Sequence, residues 1–467
     1  MGDTRRSQTI STENREIAED TAGSGPMMSE APQEGGPPWL YGESSVAKIR
    51  ILAKSRPDLV FTSLAHRIDF HMLRKSFGEV RKSKSAGVDR VTAGQYAANL
   101  DENLYNLLQR LRRGQYVATP VRRIWIDKDN GNKRPIGIPA LEDKIVQRAV
   151  YTILDAIYDV DFYDFSHGFR RGRGQQKALL ELRQQCHRQN INWIISADIT
   201  GLFDNIDHEL LREVVRLRVN DGGIIRLVGK WLNAGVMEGG NISYSESGTP
   251  QGGVISPLLA NIFLHHVIDD WFVREVQPRL GRRSFIIRFA DDFNIGCELK
   301  SDAEKIMEAL AERLERFKLS LNKEKTKLVL FARPGTGNSK GGGTFDFLGF
   351  TFYWGRSRRG KWVIKKRTNR KRKKRFLKSL WEWCGRNRHK SVPFQHLRLC
   401  QKLRGYYQYF GVRGNYESIY AVYVCAKKFW RCRLSRRSHK GGMDWKKFDK
   451  FFKKYPLPRP RIVHNDV

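Results

Sequence analysis

The residues best suited to chemistry are carboxylates placed at the ends of short apolar runs. Ile286-Ile287-Arg288-Phe289-Ala290-Asp291-Asp292-Phe293-Asn294-Ile295 sets an Asp-Asp pair between two stretches rich in Ile and Phe, and reads as a hairpin with the acids at its tip. Trp193-Ile194-Ile195-Ser196-Ala197-Asp198 is a second strand that ends in a carboxylate. Mg²⁺ takes oxygen ligands and is commonly held by one or two carboxylates together with substrate phosphates. Two such ions can brace the entering and the leaving oxygen of a phosphoryl transfer. The expectation is that Asp198 and Asp291 meet and hold two Mg²⁺ ions. An isolated Asp-Asp pair is most often a solvated turn, so the surrounding elements decide between the readings.

Those elements follow from patterning. Residues 1–38 are rich in Ser, Thr, Glu, Gly and Pro and poor in large apolar residues, which predicts a disordered tail. A mostly helical stretch runs from Val46 to Val80, broken near Pro57, and Asp101 to Arg113 returns to helix with Leu104, Leu107, Leu108 and Leu111 on one face. Val121–Ile126 reads as a strand whose partner is Arg134-Pro135-Ile136-Gly137-Ile138-Pro139, an edge strand because of its prolines. The turn between them carries Lys128, Lys133 and Arg134; such a basic tip is either solvated or able to close on a triphosphate, Arg being a planar fork for phosphate oxygens. Leu141 to Ile157 is amphipathic, with Ile145, Ala149, Ile153 and Ile157 on one side.

Further along, His167-Gly168-Phe169-Arg170-Arg171-Gly172-Arg173-Gly174 is a basic glycine loop that could lie against a nucleic-acid backbone, without the Gly-Lys-Ser/Thr ending of a nucleotide-cradling P-loop. Asp207 is placed to cap a helix from His208. Gly248-Thr249-Pro250-Gln251-Gly252-Gly253 is a tight loop, followed by Ser256-Pro257 as a helix start; Gln251 can donate and accept hydrogen bonds. Lone His265 reads as structural. Ser301 and Glu304 form a capping-box pattern ahead of an Ile306, Leu310, Leu314, Phe317 stripe.

The net charge of +36 is uneven. Residues 351–467 hold 35 Lys and Arg against 5 Asp and Glu, leaving +6 for the rest of the chain. A basic end of that size points to a polyanion, and Trp354, Trp362, Trp381, Trp383, Trp430 and Trp445 among the charges suit base stacking. Stripes such as Leu397, Cys400, Leu403, Tyr407 and Phe410, or Ile419, Tyr423, Ala426 and Trp430, predict a helical core beneath that charge. No apolar run approaches a membrane span, and no secretory leader is evident. Six cysteines without a CxxC pair fit neither a disulfide framework nor a zinc site, which suggests a reducing cytoplasm.

The succession RPIGIP, SADITGLFDNIDH, TPQGGVISPLLANIFL, FADD, LNKEKTK and FLGF resembles the fingers and palm of a reverse transcriptase. LRGYYQYFGV and the final PLPRPRIVH resemble the maturase domain of group II intron-encoded proteins, so the likeness runs over roughly residues 50 to 465. It implies an α+β right-hand polymerase fold, with fingers and palm over 39–350 and a basic helical thumb and maturase domain over 351–467. It implies RNA-directed DNA synthesis from deoxynucleoside triphosphates on a DNA primer, with target DNA and the parent group II intron RNA as partners. Site roles carry over by motif. Asp198, Asp291 and the adjacent Asp292 would be catalytic and metal-holding, and Phe203 would stand against a ribose 2′-hydroxyl. Gln251 would line the nucleotide pocket, Lys128 and Arg134 would hold the triphosphate, and Lys325 would lie near the leaving pyrophosphate. Leu348 and Gly349 would lie against the primer. From the charge alone, Lys371, Arg372, Lys373 and Lys374, within the densest basic run, are expected to bind RNA. Phe289 replaces the family's usual Tyr, keeping the ring and losing a hydroxyl. The family's Cys- and His-bearing endonuclease segment is not seen, so no DNA cutting is expected. Two other readings are a reverse transcriptase of a retron or diversity-generating element, and an RNA-binding splicing cofactor without polymerase activity.

Overall fold

A computed structural model describes residues 39–80, 85–127, 133–238, 241–244, 247–248, 252–335, 342–437 and 442–465. The expected tail over 1–38, Lys128 and Gln251 lie outside the described residues, as does the Arg134 side chain. The N-terminal part is helical: α1 (Trp39–Ser55), α2 (Phe70–Glu79), α3 (Ala93–Ala98) and α4 (Leu100–Arg112). Polar residues mark the starts of two of these helices. The Asp69 carboxylate accepts from Met72 N to open α2, and Thr92 and Gln95 form a capping box on α3.

Strands β1 (Val121–Asp127) and β2 (Lys133–Ile138) form an antiparallel hairpin. α5 (Leu141–Asp161) follows, with Ile145, Ala149, Ile153 and Ile157 fully buried. Then come α6 (Gln175–Arg188), β3 (Trp193–Asp198), α7 (Leu202–Asn205), α8 (His208–Arg216) and α9 (Gly222–Leu232). β4 (Val236–Glu238) and β5 (Asn241–Ser243) extend the first hairpin to the order β2-β1-β4-β5. β2 is an edge strand, the place where Pro135 costs no ladder hydrogen bond.

α10 (Ser256–Leu264) continues into π-type winding over His265–Asp270 and Phe272–Val276. β6 (Ser284–Phe289), β7 (Asp292–Cys297), α11 (Lys300–Arg316) and β8 (Lys327–Leu330) complete a second sheet of order β6-β7-β3-β8, antiparallel throughout. Both of its faces are covered. Ile195, Ala197, Ile286, Phe293 and Ile295 join the core shared with α5, α10 and α11. Ile194, Phe285 and Ile287, alternating with them, join a second core that includes α6 and the C-terminal helices. The Ser301–Glu304 capping box does not form: α11 begins at Lys300 after Leu299, and Glu304 instead pairs with Lys300 at 2.8 Å.

The expected boundary at residue 350 falls inside a third sheet. β9 (Phe345–Phe347), β10 (Phe350–Arg356) and β11 (Trp362–Thr368) pair in the order β11-β10-β9. The basic part therefore opens as strands. Its helices are α12 (Arg370–Arg386), α13 (Val392–Phe410), α14 (Tyr416–Ser435) and α15 (Trp445–Lys454). Trp430 is fully buried among them and donates to Gln395 Oε1, so it is core and not a stacking surface. Leu397, placed in the apolar stripe from its spacing, is exposed. The chain then runs back over α13, with Val463 N and His464 N donating to Gly411 O.

Candidate active site

The two sheet strands carrying carboxylates are neighbours, and their register is decisive. Asp198, the last residue of β3, stands directly opposite Asp292, the first residue of β7. Phe289 pairs with Asp292, which leaves Ala290 and Asp291 as a two-residue turn. The tip is therefore Ala290-Asp291, one residue earlier than the expected Asp291-Asp292. Ala290 has φ +57°, a left-handed conformation that costs a non-glycine residue roughly 1–2 kcal/mol.

Three carboxylates at one end of a sheet repel one another. Burial, then the charges of Asp198 and Asp291, push the Asp292 carboxyl up to about 7, against a backbone N–H of Leu348 and the Lys325 charge that favour its ionised form. Lys325 Nζ lies 2.6 Å from Asp198 Oδ2. An all-oxygen donor set that raises its own pKa and draws in an ammonium fits a hard divalent cation. Among the described residues no group of three or more His, Cys, Asp or Glu side chains forms a ready-made metal cluster. Mg²⁺ does not require one, since it keeps waters and takes oxygens from substrate phosphates.

A separate group of elements carries the parts expected to meet a nucleotide. Phe203, in α7, is half-buried against the main core. The glycine loop starts beside it: Gly248 N donates to Ile206 O, and His208 Nε2 lies 2.6 Å from Gly248 O. At its far end Gly252 has φ +120°, and a Cβ there would fall 2.4 Å from Gly137 O of β2, so only glycine fits. Gly248 thus meets the turn that follows the Phe203 helix, and Gly252 packs on β2. Gln147, buried on α5, accepts from Val254 N at 2.8 Å and anchors the loop's exit. Sequence reasoning missed Gln147; a glutamine four residues from Asp143 within an apolar helix was the available signal.

Leu348 and Gly349 form the two-residue turn between β9 and β10, both with positive φ, +48° and +79°. Tyr409 Oη donates to Leu348 O at 3.2 Å, and Asn369 N donates to Gly349 O at 2.9 Å. Asn369 is also the cap of α12, accepting from Lys371 N and Arg372 N. The run Lys371 to Lys374 therefore begins beside the expected primer turn, not on a remote face. Tyr409 was not singled out from sequence.

Residues 126–352 match the family model described as reverse transcriptase (RNA-dependent DNA polymerase). Protein YkfC of Escherichia coli is 33% identical over 325 residues, covering 63% of this chain and 82% of that protein. The chain belongs to the reverse transcriptase family. Group II intron-encoded protein LtrA of Lactococcus lactis subsp. cremoris is 42% identical over 185 residues, 39% of this chain and 30% of LtrA. A 91 kDa protein of a cob intron in Schizosaccharomyces pombe is 33% identical over 240 residues, half of this chain and 29% of that one. The chain thus matches about a third of the length of the intron-encoded relatives. No helix among the described residues is long and apolar enough to cross a membrane.

Proposed function

We propose that this protein is an RNA-directed DNA polymerase that also binds its parent group II intron RNA and assists splicing and mobility. The observation that carries the reading is the cross-strand pair Asp198–Asp292 with Asp291 on the adjoining turn between β6 and β7, and with the backbone N–H of Leu348 on the Asp292 carboxyl. Asp198, Asp291 and Asp292 would hold two Mg²⁺ ions, which supply Lewis acidity at the α-phosphate and neutralise the leaving pyrophosphate. The protein's own contribution is placement. Phe203 closes the pocket against a 2′-hydroxyl. Gln251 lines the nucleotide site, and Lys128 and Arg134 grip the triphosphate from the fingers hairpin. Lys325, released from Asp198, offers its ammonium to the departing phosphates. Leu348 and Gly349, backed by Tyr409, hold the primer end. The intron RNA is assigned to the basic C-terminal part, including Lys371, Arg372, Lys373 and Lys374.

Asp198→Ala or Asp291→Ala tests this reading. Primer extension on an RNA template should be lost, while filter binding of intron RNA by the same preparations is retained. Wild-type extension by either variant would overturn the assignment.

A further inference from the structure

Arg288 is the largest charged side chain sealed inside the molecule, with no exposed surface, and it lies three residues before Asp291. All three of its nitrogens are engaged. Nε donates to Asp269 Oδ1 at 2.7 Å and Nη2 to Asp269 Oδ2, a two-pronged pair with a carboxylate that is itself completely buried. Nη1 donates to Asn261 Oδ1 at 3.1 Å and to the carbonyl of Ala290 at 3.2 Å. Ala290 is the left-handed residue of the turn. The Asn261 amide, on α10, turns its nitrogen the other way and donates to Gly168 O at 2.7 Å. Gly168 packs so closely on the turn that a Cβ would sit 2.4 Å from Ala290 N. Its neighbours clasp the same strand: His167 N donates to Arg288 O and Arg288 N donates to Phe165 O.

We infer that Arg288, Asp269 and Asn261 are positioning residues for the reaction: they hold the Ala290–Asp291 turn in its left-handed form and so fix where the Asp291 carboxylate stands relative to Asp198. The inference rests on the polymerase reading above. Three considerations separate it from simple core stability. A buried ion pair contributes little net stability, because desolvating two charges offsets their attraction, and apolar replacements of equal volume are often as stable. The Asp269–Arg288 pair would be complete without the third prong, yet that prong is spent on the carbonyl of a strained turn residue. And the group that crowds the turn from outside, Gly168, is tied to the same amide. Left-handed alanine persists only where its surroundings over-determine it, and these contacts are the surroundings. A lysine at 288 would keep the charge but not the planar fork that reaches Asp269, Asn261 and Ala290 together.

Two variants test this in the full chain, Asn261→Ala and Arg288→Lys. Asn261→Ala leaves the charge pair intact, so it should melt close to wild type even if Arg288→Lys folds poorly. Two readouts are taken: Mn²⁺ affinity by electron paramagnetic resonance, with the metal alone as probe, and single-nucleotide extension. Asn261→Ala should weaken Mn²⁺ binding several-fold and lower kcat about tenfold, with KM for nucleotide and primer–template within about threefold; a displacement of the order of 1 Å at a reacting group can cost a hundredfold. Raising Mg²⁺ should recover part of the loss. Wild-type Mn²⁺ affinity and kcat in Asn261→Ala would overturn the inference. So would losses that simply track a lowered melting temperature and equally weakened RNA binding. If the wild-type chain binds Mn²⁺ but extends no primer, the polymerase reading fails, while the Mn²⁺ shift still decides whether these residues position the turn.

Discussion

Lys325 Nζ sits 2.6 Å from Oδ2 of Asp198, and the pair is lopsided: the lysine side chain is 63% exposed, the carboxylate only 18%. A mobile cation thus rests on a fixed anion at the end of β3. The same contact lowers the cost of three crowded carboxylates, since the Lys325 charge also favours the ionised form of Asp292. On the reading proposed above, Lys325 would stand in for a metal ion and would leave when one arrives.

That competition is measurable. Lys325→Met should tighten Mg²⁺ binding in the absence of nucleotide by roughly fivefold, the worth of a half-exposed ion pair of about 1 kcal/mol. It should also lower kcat, because the ammonium is no longer there to meet the pyrophosphate. Calorimetric Mg²⁺ titration beside single-turnover extension separates the two effects. Unchanged Mg²⁺ affinity would show that Lys325 does not occupy the metal's place.

Phe203 offers a second test. Its ring is half-buried in α7, five residues beyond Asp198, and the backbone carbonyls of Phe203 and Asp204 abut Gly248. Phe203→Val should admit ribonucleotides, cutting discrimination against them by about tenfold or more, since a steric wall is worth a few kcal/mol at most. Competing single-nucleotide incorporation reads this directly. A variant that rejects ribonucleotides as well as wild type does would make the ring a core residue only.

The strands that carry Asp198 and Asp292 were legible because burial on both faces leaves a continuous apolar run with polar ends. The edge position of β2 was legible from Pro135, and the α5 face from four residues at helical spacing. The exact turn was not. Alanine does not advertise a left-handed conformation, and what holds Ala290 there comes from residues 168, 261 and 269, far away along the chain. The Ser301–Glu304 pattern misled because capping depends on where the preceding β7 releases the backbone, and the helix begins with Leu299 as cap, two residues before Ser301. Strands β10 and β11 were overlooked although Phe350, Phe352 and Trp354 alternate with Thr351 and Tyr353; the density of Lys and Arg drew attention to charge instead of period. Trp430 shows the converse. It sits among basic residues, yet it shares a helical stripe with Ile419 and Ala426, and the stripe prevailed.

Lys366 gives the pH dependence. It lies on β11 at 2% exposure, and burial, with Arg183 adding to it, lowers its pKa from 10.5 to about 7. Between these values the unfolded chain holds the proton and the folded chain does not, so stability rises with pH across that window. Below about 7 both states are protonated and the full cost of the buried charge is present. The shift corresponds to several kcal/mol, and relaxation and water entry reduce it to about half; a stabilisation of about 1–3 kcal/mol is expected for Lys366→Met at pH 7. Denaturant unfolding at several pH values should show the gap between variant and wild type closing from pH 7 towards 10. A gap that is flat with pH would mean that the lysine keeps its ordinary pKa and stays charged inside the fold.

The last prediction concerns the first turn of α12. Arg370, Lys371, Arg372 and Lys373 occupy it with no acidic residue present, although the positive end of a helix dipole disfavours cations by about 0.3–1 kcal/mol each. On the reading proposed above, those charges would be kept for an anion. Replacing Lys371, Lys373 and Lys374 with Gln should therefore move stability and binding in opposite directions. The melting temperature should hold or rise, while intron RNA affinity falls and the slope of log K against log salt becomes shallower by about 2–3, each lost phosphate contact being worth roughly 0.7–0.9. Arg372 is kept apart from this set because its side-chain stem lies 3.8 Å from the position a Gly349 Cβ would take. Arg372→Gln should instead raise KM for a short primer–template several-fold. Filter binding across a salt series, thermal melting and primer extension on both proteins resolve the two effects. If the triple variant keeps wild-type RNA affinity and salt slope, the run is a solvated face, and the RNA site must be sought elsewhere on the basic part.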